Sequence, residues 1–214
     1  MTEEGCYDCG KIDRERRVYL VDSIEEKVFQ VQAGDVQEYA CIVERFQRPL
    51  YLYCTRLLGN RHEAEDAVQE VLVKAYEKIH LYRPLVTFSS WLYKIAYHHC
   101  LNLLRRRQLQ RKIMRLFRQD DRTPSAEQML TDELFDEPLS LAWLSLSGEE
   151  RNLVVLRVFE ERTFDEIAVI MKKNKEAVKK RYGRVRQKLK KVIGESEVSG
   201  ICVNAAAAMK LKRK

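Results

Sequence analysis

Apolar side chains recur along this chain at the three- and four-residue spacing of an amphipathic helix, and no stretch alternates apolar and polar residues as a half-buried strand does. Between Asp35 and Leu58 they fall at Tyr39, Ile42, Val43, Phe46, Leu50, Tyr53, Cys54, Leu57 and Leu58, which predicts one helix that Pro49 should kink or divide. Gly59-Asn60 reads as a stop and turn. A second stripe then runs through Ala64, Ala67, Val68, Val71, Leu72, Ala75, Tyr76 and Ile79. After a loop containing Pro84, a third helix is expected from about Ser89, with Trp91, Leu92, Ile95 and Ala96 inward and Arg105-Arg106-Arg107 near its end.

Residues 1–23 are polar without periodicity and are expected to form an N-terminal extension; 24–107 would form a first helical domain. Seven basic residues (Arg105, Arg106, Arg107, Arg111, Lys112, Arg115, Arg118) then occur without an acid, whereas Asp132, Glu133, Asp136 and Glu137 crowd a short stretch. That reversal of sign suggests a linker over 108–138, either a solvated tether or a segment that itself touches nucleic acid or a protein channel. A second helical domain is expected over 139–193, followed by a tail over 194–214. Inside it, Thr163 and Glu166 can make a capping box, Ile167, Ala168, Ile170 and Met171 give a buried side, and Lys172-Lys173-Asn174 supplies a turn. Val178, Tyr182, Val185 and Leu189 then form the inward stripe of a following helix, which is helix-turn-helix spacing. The fold class predicted is all-α, with two small helical domains joined by a flexible linker and a helix-turn-helix in the second.

The chain has 214 residues, a formal charge of +7, 45% hydrophobic and 33% charged residues, so it has enough apolar material for a core and too much for a disordered chain. No apolar run approaches the roughly 18 residues that a membrane helix needs, and the N-terminus lacks a basic segment followed by an apolar one. Direct membrane insertion and secretion are not expected, and a cytoplasmic protein is. The six Cys do not have the density of a disulfide framework, so reduced thiols are expected. Cys6 and Cys9 form one C-x-x-C with no second pair, which favours no zinc site.

Lys172 to Lys191 carry eleven basic residues against one acid, Glu176, an electrostatic footprint for phosphates. Early in that helix Lys175, Lys179, Lys180 and Arg184 are placed to reach a major groove, where Lys and Arg donate to guanine O6 and N7, while Arg181 and Arg186 suit phosphate contacts. In the first domain Asp66, Gln69, Glu70, Val73 and Glu77 make an acidic strip opposite the apolar stripe, either a solvated face or a docking strip for a partner helix. Phe88, Trp91, Tyr93 and Tyr97 with Lys94 and the Arg triplet suit stacking on unpaired bases, although Trp91 at that spacing also fits a core position. His98, His99 and Cys100 point different ways on a helix and do not suggest a metal. No carboxylate cluster with a metal, and no nucleophile with a base, can be assembled into an enzyme site, and no cofactor is expected.

Several stretches together resemble the extracytoplasmic-function (group four) sigma factors of the sigma-70 family: Ala33-Gly34-Asp35, Leu57 to Asn60 as LLGN, Glu63 to Glu70 as EAEDAVQE, Phe88 to Ala96 as FSSWLYKIA, Leu146 to Arg151, Thr163 to Ala168 as TFDEIA, and Ala177 to Arg181 as AVKKR. The resemblance covers about residues 24–193. It implies a non-enzymatic subunit that binds core RNA polymerase and directs promoter-specific transcription initiation, restrained by an anti-sigma factor. It implies that Asp66, Gln69 and Glu70 dock on the polymerase. Phe88, Trp91, Lys94, His98, Arg105 and Arg106 would then recognise and melt the minus-ten element, with promoter DNA engaged both as duplex and as melted strand. Lys175, Lys179, Lys180, Arg181 and Arg184 would read the minus-thirty-five element. The chain departs from the family pattern with His98 where Asn is common and with Glu176-Ala177 where Gly-Thr is usual. A conventional helix-turn-helix regulator, acting without being a polymerase subunit, is the alternative. Cys6, Cys9 and Cys202 remain candidates for a redox or metal input.

Overall fold

The computed structural model describes residues 24–117 and 142–193, and within these every regular element is helical. Helix α1 covers residues 24–32, and a short 3-10 turn at Val36–Glu38 leads into α2, Tyr39–Leu58. Helices α3, Arg61–Lys78, and α4, Phe88–Phe117, complete the first lobe. In the second lobe α5, Gly148–Val154, runs directly into a π-helical segment, Val155–Phe159, and is followed by α6, Phe164–Met171, and α7, Lys175–Ile193. The tail after Gly194, the N-terminal extension and the acidic half of the expected linker lie outside the described residues.

Local chemistry sets the boundaries. Gly59 adopts φ 63°, a left-handed stop that a side chain would strain, and the Asn60 side chain then accepts from the Glu63 amide to cap α3. Ala64, Ala67 and Ala75 lie with Val71 on the buried face of α3, and such small side chains let α3 approach α2 and α4 closely. Pro49 does not divide α2. Phe46, Leu50 and Tyr53 are buried on both sides of it, and their burial outweighs the roughly 3 kcal/mol that proline costs inside a helix. The third helix also differs from expectation, since α4 continues through 108–117. Its Arg, Gln, Leu, Lys and Met are strong helix formers with no Gly or Pro among them, so the linker starts later than the charge pattern suggested.

In the second lobe Ser147 and Thr163 each make a full capping box, with Glu150 and Glu166 respectively. Lys172 ends α6 in the left-handed conformation at φ 52°, and the Lys173 amide donates to Ala168 O at 2.9 Å. This is the turn of the helix-turn-helix. Ile167, Ile170 and Met171 face Val178, Val185 and Leu189 of α7, with Ala168 and Tyr182 half-buried beside them.

The two lobes dock along one seam. The Tyr53 hydroxyl of α2 donates to Asn152 Oδ1 of α5 at 2.6 Å, wholly buried. The π segment turns Glu160 inward, its amide donating to Val155 O, so that its carboxylate accepts from the Tyr93 hydroxyl at 2.6 Å and meets Arg56 Nη1 at 3.3 Å. Arg56 also lies over the Phe159 ring at 4.7 Å, and Arg162 over Tyr93 at 4.7 Å while bonding Ser89. Gly148 fits here because a Cβ on it would lie 2.8 Å from Leu104 Cδ1.

Leu50→Ala removes a fully buried side chain from the centre of the first lobe and should lower stability by about 2–5 kcal/mol in urea unfolding. A second expectation concerns pH. Burial raises the Glu160 carboxyl above its ordinary value, with Tyr93, Arg56 and Arg162 pulling the other way. A group whose value is raised on docking favours the docked form below its free value and loses that contribution as pH rises through the docked one. Energy transfer between labels on exposed His62 and Gln187 should therefore show the change in docking from pH 7 to pH 5 to be more favourable in the unaltered chain than in Glu160→Gln, the difference being the Glu160 contribution.

Candidate functional site

Three surfaces carry the residues singled out from sequence. The first is the outer face of α3, where Asp66, Gln69, Glu70, Val73 and Glu77 are all exposed, as the stripe pattern requires. Glu70 accepts from Lys74 Nζ at 2.6 Å, and that ammonium holds the Glu70 carboxyl below its usual range. Val73, 57% exposed, sits in the middle of the strip. A polar face with an uncovered apolar centre is the make-up of a helix-docking surface.

The second surface is a groove between α3 and α4, a cavity of about 350 Å³ whose wall combines apolar Leu81, Trp91 and Ile95 with Lys74, Lys78, Lys94, His98, His99 and Asn102. Trp91 is half-buried and packs edge-on to Tyr82 at 5.6 Å and tilted against Phe88 at 5.4 Å, leaving its remaining surface to the groove. Phe88 itself is fully buried among Phe46, Tyr82 and Trp91 and presents no face to a base; it supports Trp91 from beneath. Lys94 and His98 line the groove, and Arg105 and Arg106 are exposed further along α4. Arg107 is held structurally, donating to Leu58 O at 2.7 Å and pairing with Glu63.

Electrostatics in the groove are one-sided. Burial, then Lys172, Lys94 and Arg105, push the His98 imidazole below its usual value, and its Nε2 is buried without a hydrogen-bond partner. His99 is lowered by burial and then by Lys74, so the neutral ring accepts from Lys74 Nζ at 3.0 Å and makes no ion pair with Glu70, 4.0 Å away. Cys100, next in sequence, turns into the core against Cys54. The groove is a cationic slot with one aromatic wall, chemistry that suits an unpaired nucleotide. The 81–87 loop at its mouth is anchored from below, with Gln32 Nε2 donating to Ile79 O at 2.6 Å and Glu25 accepting from the Phe88 amide at 2.7 Å, while Leu85 is 90% exposed at its tip.

The third surface is the outer face of α7. Lys175, Lys179, Lys180 and Arg184 are exposed on it, and Gly183 is open beside them. Lys175 pairs with Asp165 at 2.8 Å and Lys179 with Glu176 at 2.9 Å, weak surface pairs that a phosphate can replace. Arg181 is placed differently from the rest: it is half-buried and bonded to Glu149 of α5, which makes it a brace between helices. Sequence reasoning missed Lys74, Lys78, His99 and Asn102 in the groove because α3 and α4 meet there only through the fold.

Both lobes are similar to known proteins. Residues 42–110 match the family described as Sigma-70 region 2, and residues 144–191 match Sigma-70, region 4, together more than half of the chain. The chain is 29% identical over 178 residues to the ECF RNA polymerase sigma factor SigW of Bacillus subtilis, covering 78% of this chain and 95% of that protein. It is 32% identical over 154 residues to the ECF RNA polymerase sigma factor SigE of Mycolicibacterium smegmatis, covering 70% and 59%. Among solved structures it is similar to CnrH in complex with the cytosolic domain of CnrY, with a TM-score of 0.60, 19% identity and coverage of 79% and 96%. The sigma factor RpoE in complex with the anti-sigma factor NepR from Bartonella quintana is also similar, with a TM-score of 0.56, 19% identity and coverage of 74% and 98%. The protein belongs to the sigma-70 family, in its extracytoplasmic-function group.

Lys180 and Arg184 are exposed on α7 with charges directed outward. Replacing either with Ala should weaken duplex binding and flatten the dependence of log K on log salt by about 1 if the residue holds a phosphate, or relax specificity at one base pair with an unchanged slope if it reads a base. Titrations at several salt concentrations distinguish the two.

Proposed function

We propose that this chain is the promoter-specificity subunit of an RNA polymerase, with α3 as its polymerase contact, the α3–α4 groove as its minus-ten site and α7 as its minus-thirty-five reader. The observation that carries this reading is the pairing, in one chain, of the exposed Asp66-Gln69-Glu70 strip with a helix-turn-helix whose second helix presents Lys175, Lys179, Lys180 and Arg184 to solvent. A conventional regulator needs the second surface and has no use for the first. Chemistry on the growing RNA stays with the polymerase, so this subunit acts by binding and positioning, inside the cytoplasm.

The lysines and Trp91 of the groove give a reason for strand opening to be favourable. Unpairing and unstacking a base costs a few kcal/mol, and stacking on an aromatic wall returns about 1–3 kcal/mol per base, with Lys74, Lys78 and Lys94 near enough to take the phosphates. His98, held neutral and carrying an unpartnered buried Nε2, offers a single donor or acceptor to the base edge. At the other element α7 enters the major groove by its N-terminal half, where Lys179 and Lys180 lie.

By their names the two promoter elements lie about 25 base pairs apart, or roughly 85 Å of duplex. Lobes that touch through Tyr53 and Asn152 at 2.6 Å cannot span that distance. The docked arrangement is therefore the idle form, and binding to polymerase parts the lobes. Two of the similar solved structures are complexes with a second protein, one of them named an anti-sigma factor, which supports a protein that holds this chain idle as well.

Changing Gln69 and Glu70 together to Ala should reduce core polymerase binding at least tenfold in a pull-down or titration while leaving duplex binding by the second lobe intact. On fragmented genomic DNA from its source, the unaltered chain with core polymerase should give transcripts whose 5′ ends share a two-part upstream element. Tight duplex binding with neither polymerase association nor new starts would instead identify the conventional regulator.

A further inference from the structure

We propose that Cys54 and Cys100 are an oxidisable pair, and that docking of the two lobes controls whether a peroxide can convert them to a disulfide. The two side chains come from α2 and α4, 46 residues apart in sequence, and their sulfurs lie 3.6 Å from each other. A disulfide needs about 2.05 Å, so the sulfurs must close by about 1.5 Å, a displacement that small changes in side-chain torsion and helix position can supply. Each thiol is fully buried and each has the other as its hydrogen-bonding neighbour.

The pair is placed against the seam between the lobes. Tyr53, adjacent to Cys54, donates to Asn152 of the second lobe, and the carboxylate of Glu160 is close enough for its charge to act on the Cys54 thiol. On α4, Cys100 precedes Leu101, whose Cδ1 would lie 3.7 Å from a Cβ on Gly148. Tyr97, one helical turn earlier, feels Glu149 and Arg181 of the second lobe. The second lobe thus reaches the pair through its neighbours, Asn152 by way of Tyr53 and Gly148 by way of Leu101, and through the charge of Glu160 on Cys54.

In the docked form the pair is inert for two reasons. The neighbouring thiol, and then burial, raise Cys54 well above the ordinary range for a cysteine, which keeps the nucleophilic thiolate scarce. Neither thiol meets solvent either, both residues being fully buried. When the lobes part, Tyr53 and Tyr97 lose their covering groups and water reaches the pair. One thiolate then attacks hydrogen peroxide, breaking the O–O bond and giving a sulfenic acid and hydroxide, which takes up the proton the thiol gave up. The second thiol attacks that sulfur, forming the S–S bond and releasing water. Two thiols lose two electrons in all, and one peroxide becomes two waters. The product ties α2 to α4, the two helices that build the first lobe's side of the seam.

The inference rests on the docked geometry and does not require the sigma-factor reading. Full-length protein, Glu160→Ala and Asn152→Ala, each shown to be folded by circular dichroism, are treated with hydrogen peroxide, quenched, alkylated and mapped by mass spectrometry. Exposed Cys41 serves as an internal reference for oxidant dose. The linked peptide pair containing Cys54 and Cys100 should accumulate at least tenfold faster in the two seam variants than in the unaltered chain, and Cys54→Ser should abolish it. Equal rates in all three chains, or absence of the linked peptide from all of them, overturns the proposal.

Discussion

A single buried carboxylate holds the two halves of this molecule in register. Glu160, with 12% of its side chain exposed, gathers Tyr93 from α4 and Arg56 from α2 around one charge contributed by the second lobe, with Arg162 beside it. Moving a carboxylate out of water costs several kcal/mol unless its lone pairs are met, so an ionised Glu160 is tolerated at the seam only with these groups around it. Apolar contact at the seam, Leu101 and Leu104 against Gly148, adds area without fixing an angle. The polar set supplies that angle. It also makes the joint releasable, because every group in it regains water on parting.

The same requirement explains why α5 does not end as a regular helix. A standard turn after Val154 would point residue 160 elsewhere; the wider π turn, with the Glu160 amide bonded to Val155 O, carries it round to face α2 and α4. Glu161 follows at φ 52°, a conformation disfavoured for a residue with a side chain, and Arg162 then returns to bond Ser89 and Glu166. A short strained connection of this kind is maintained by the contacts on either side of it.

Much of the fold was legible in the sequence because helices announce themselves locally. The stripes on α2, α3 and α7, the Gly59-Asn60 stop, the Thr163 cap and the Lys172 turn all depend on residues within one or two turns of each other. The end of α4 was misplaced since charge pattern is a poor guide to helix termination when the residues are all good helix formers. Among site residues, the exposed strip and the exposed face of α7 follow from being opposite an apolar stripe. Phe88 and Arg181 do not: an aromatic or an arginine can be read as a ligand contact or as a brace, and only the tertiary neighbours, Phe46 and Tyr82 for the one and Glu149 for the other, decide. Glu160, Asn152 and the lysines of the groove meet their partners from 25 to 104 residues away, a range over which periodicity carries no signal.

Helix α4 bears three demands at once, and its sequence can be divided by them. Phe88, Leu92, Ala96 and Cys100 fill the first core; Ser89, Tyr93, Leu101 and Leu104 meet the second lobe; Trp91, Lys94, His98 and Asn102 line the groove. At about 100° per residue these sets occupy adjoining sectors of one cylinder, so the helix cannot rotate to improve one contact without losing another. Its first four turns are therefore closed to most substitutions, while beyond them Arg105 and Arg106 are exposed and Arg107 is tied to Leu58 O and Glu63. This arrangement joins the α3–α4 groove to the seam through a single helix. Any displacement of the second lobe against α4 acts on the back of the helix whose front lines the groove, with Tyr93 on one side and Trp91, Lys94 and His98 on the other.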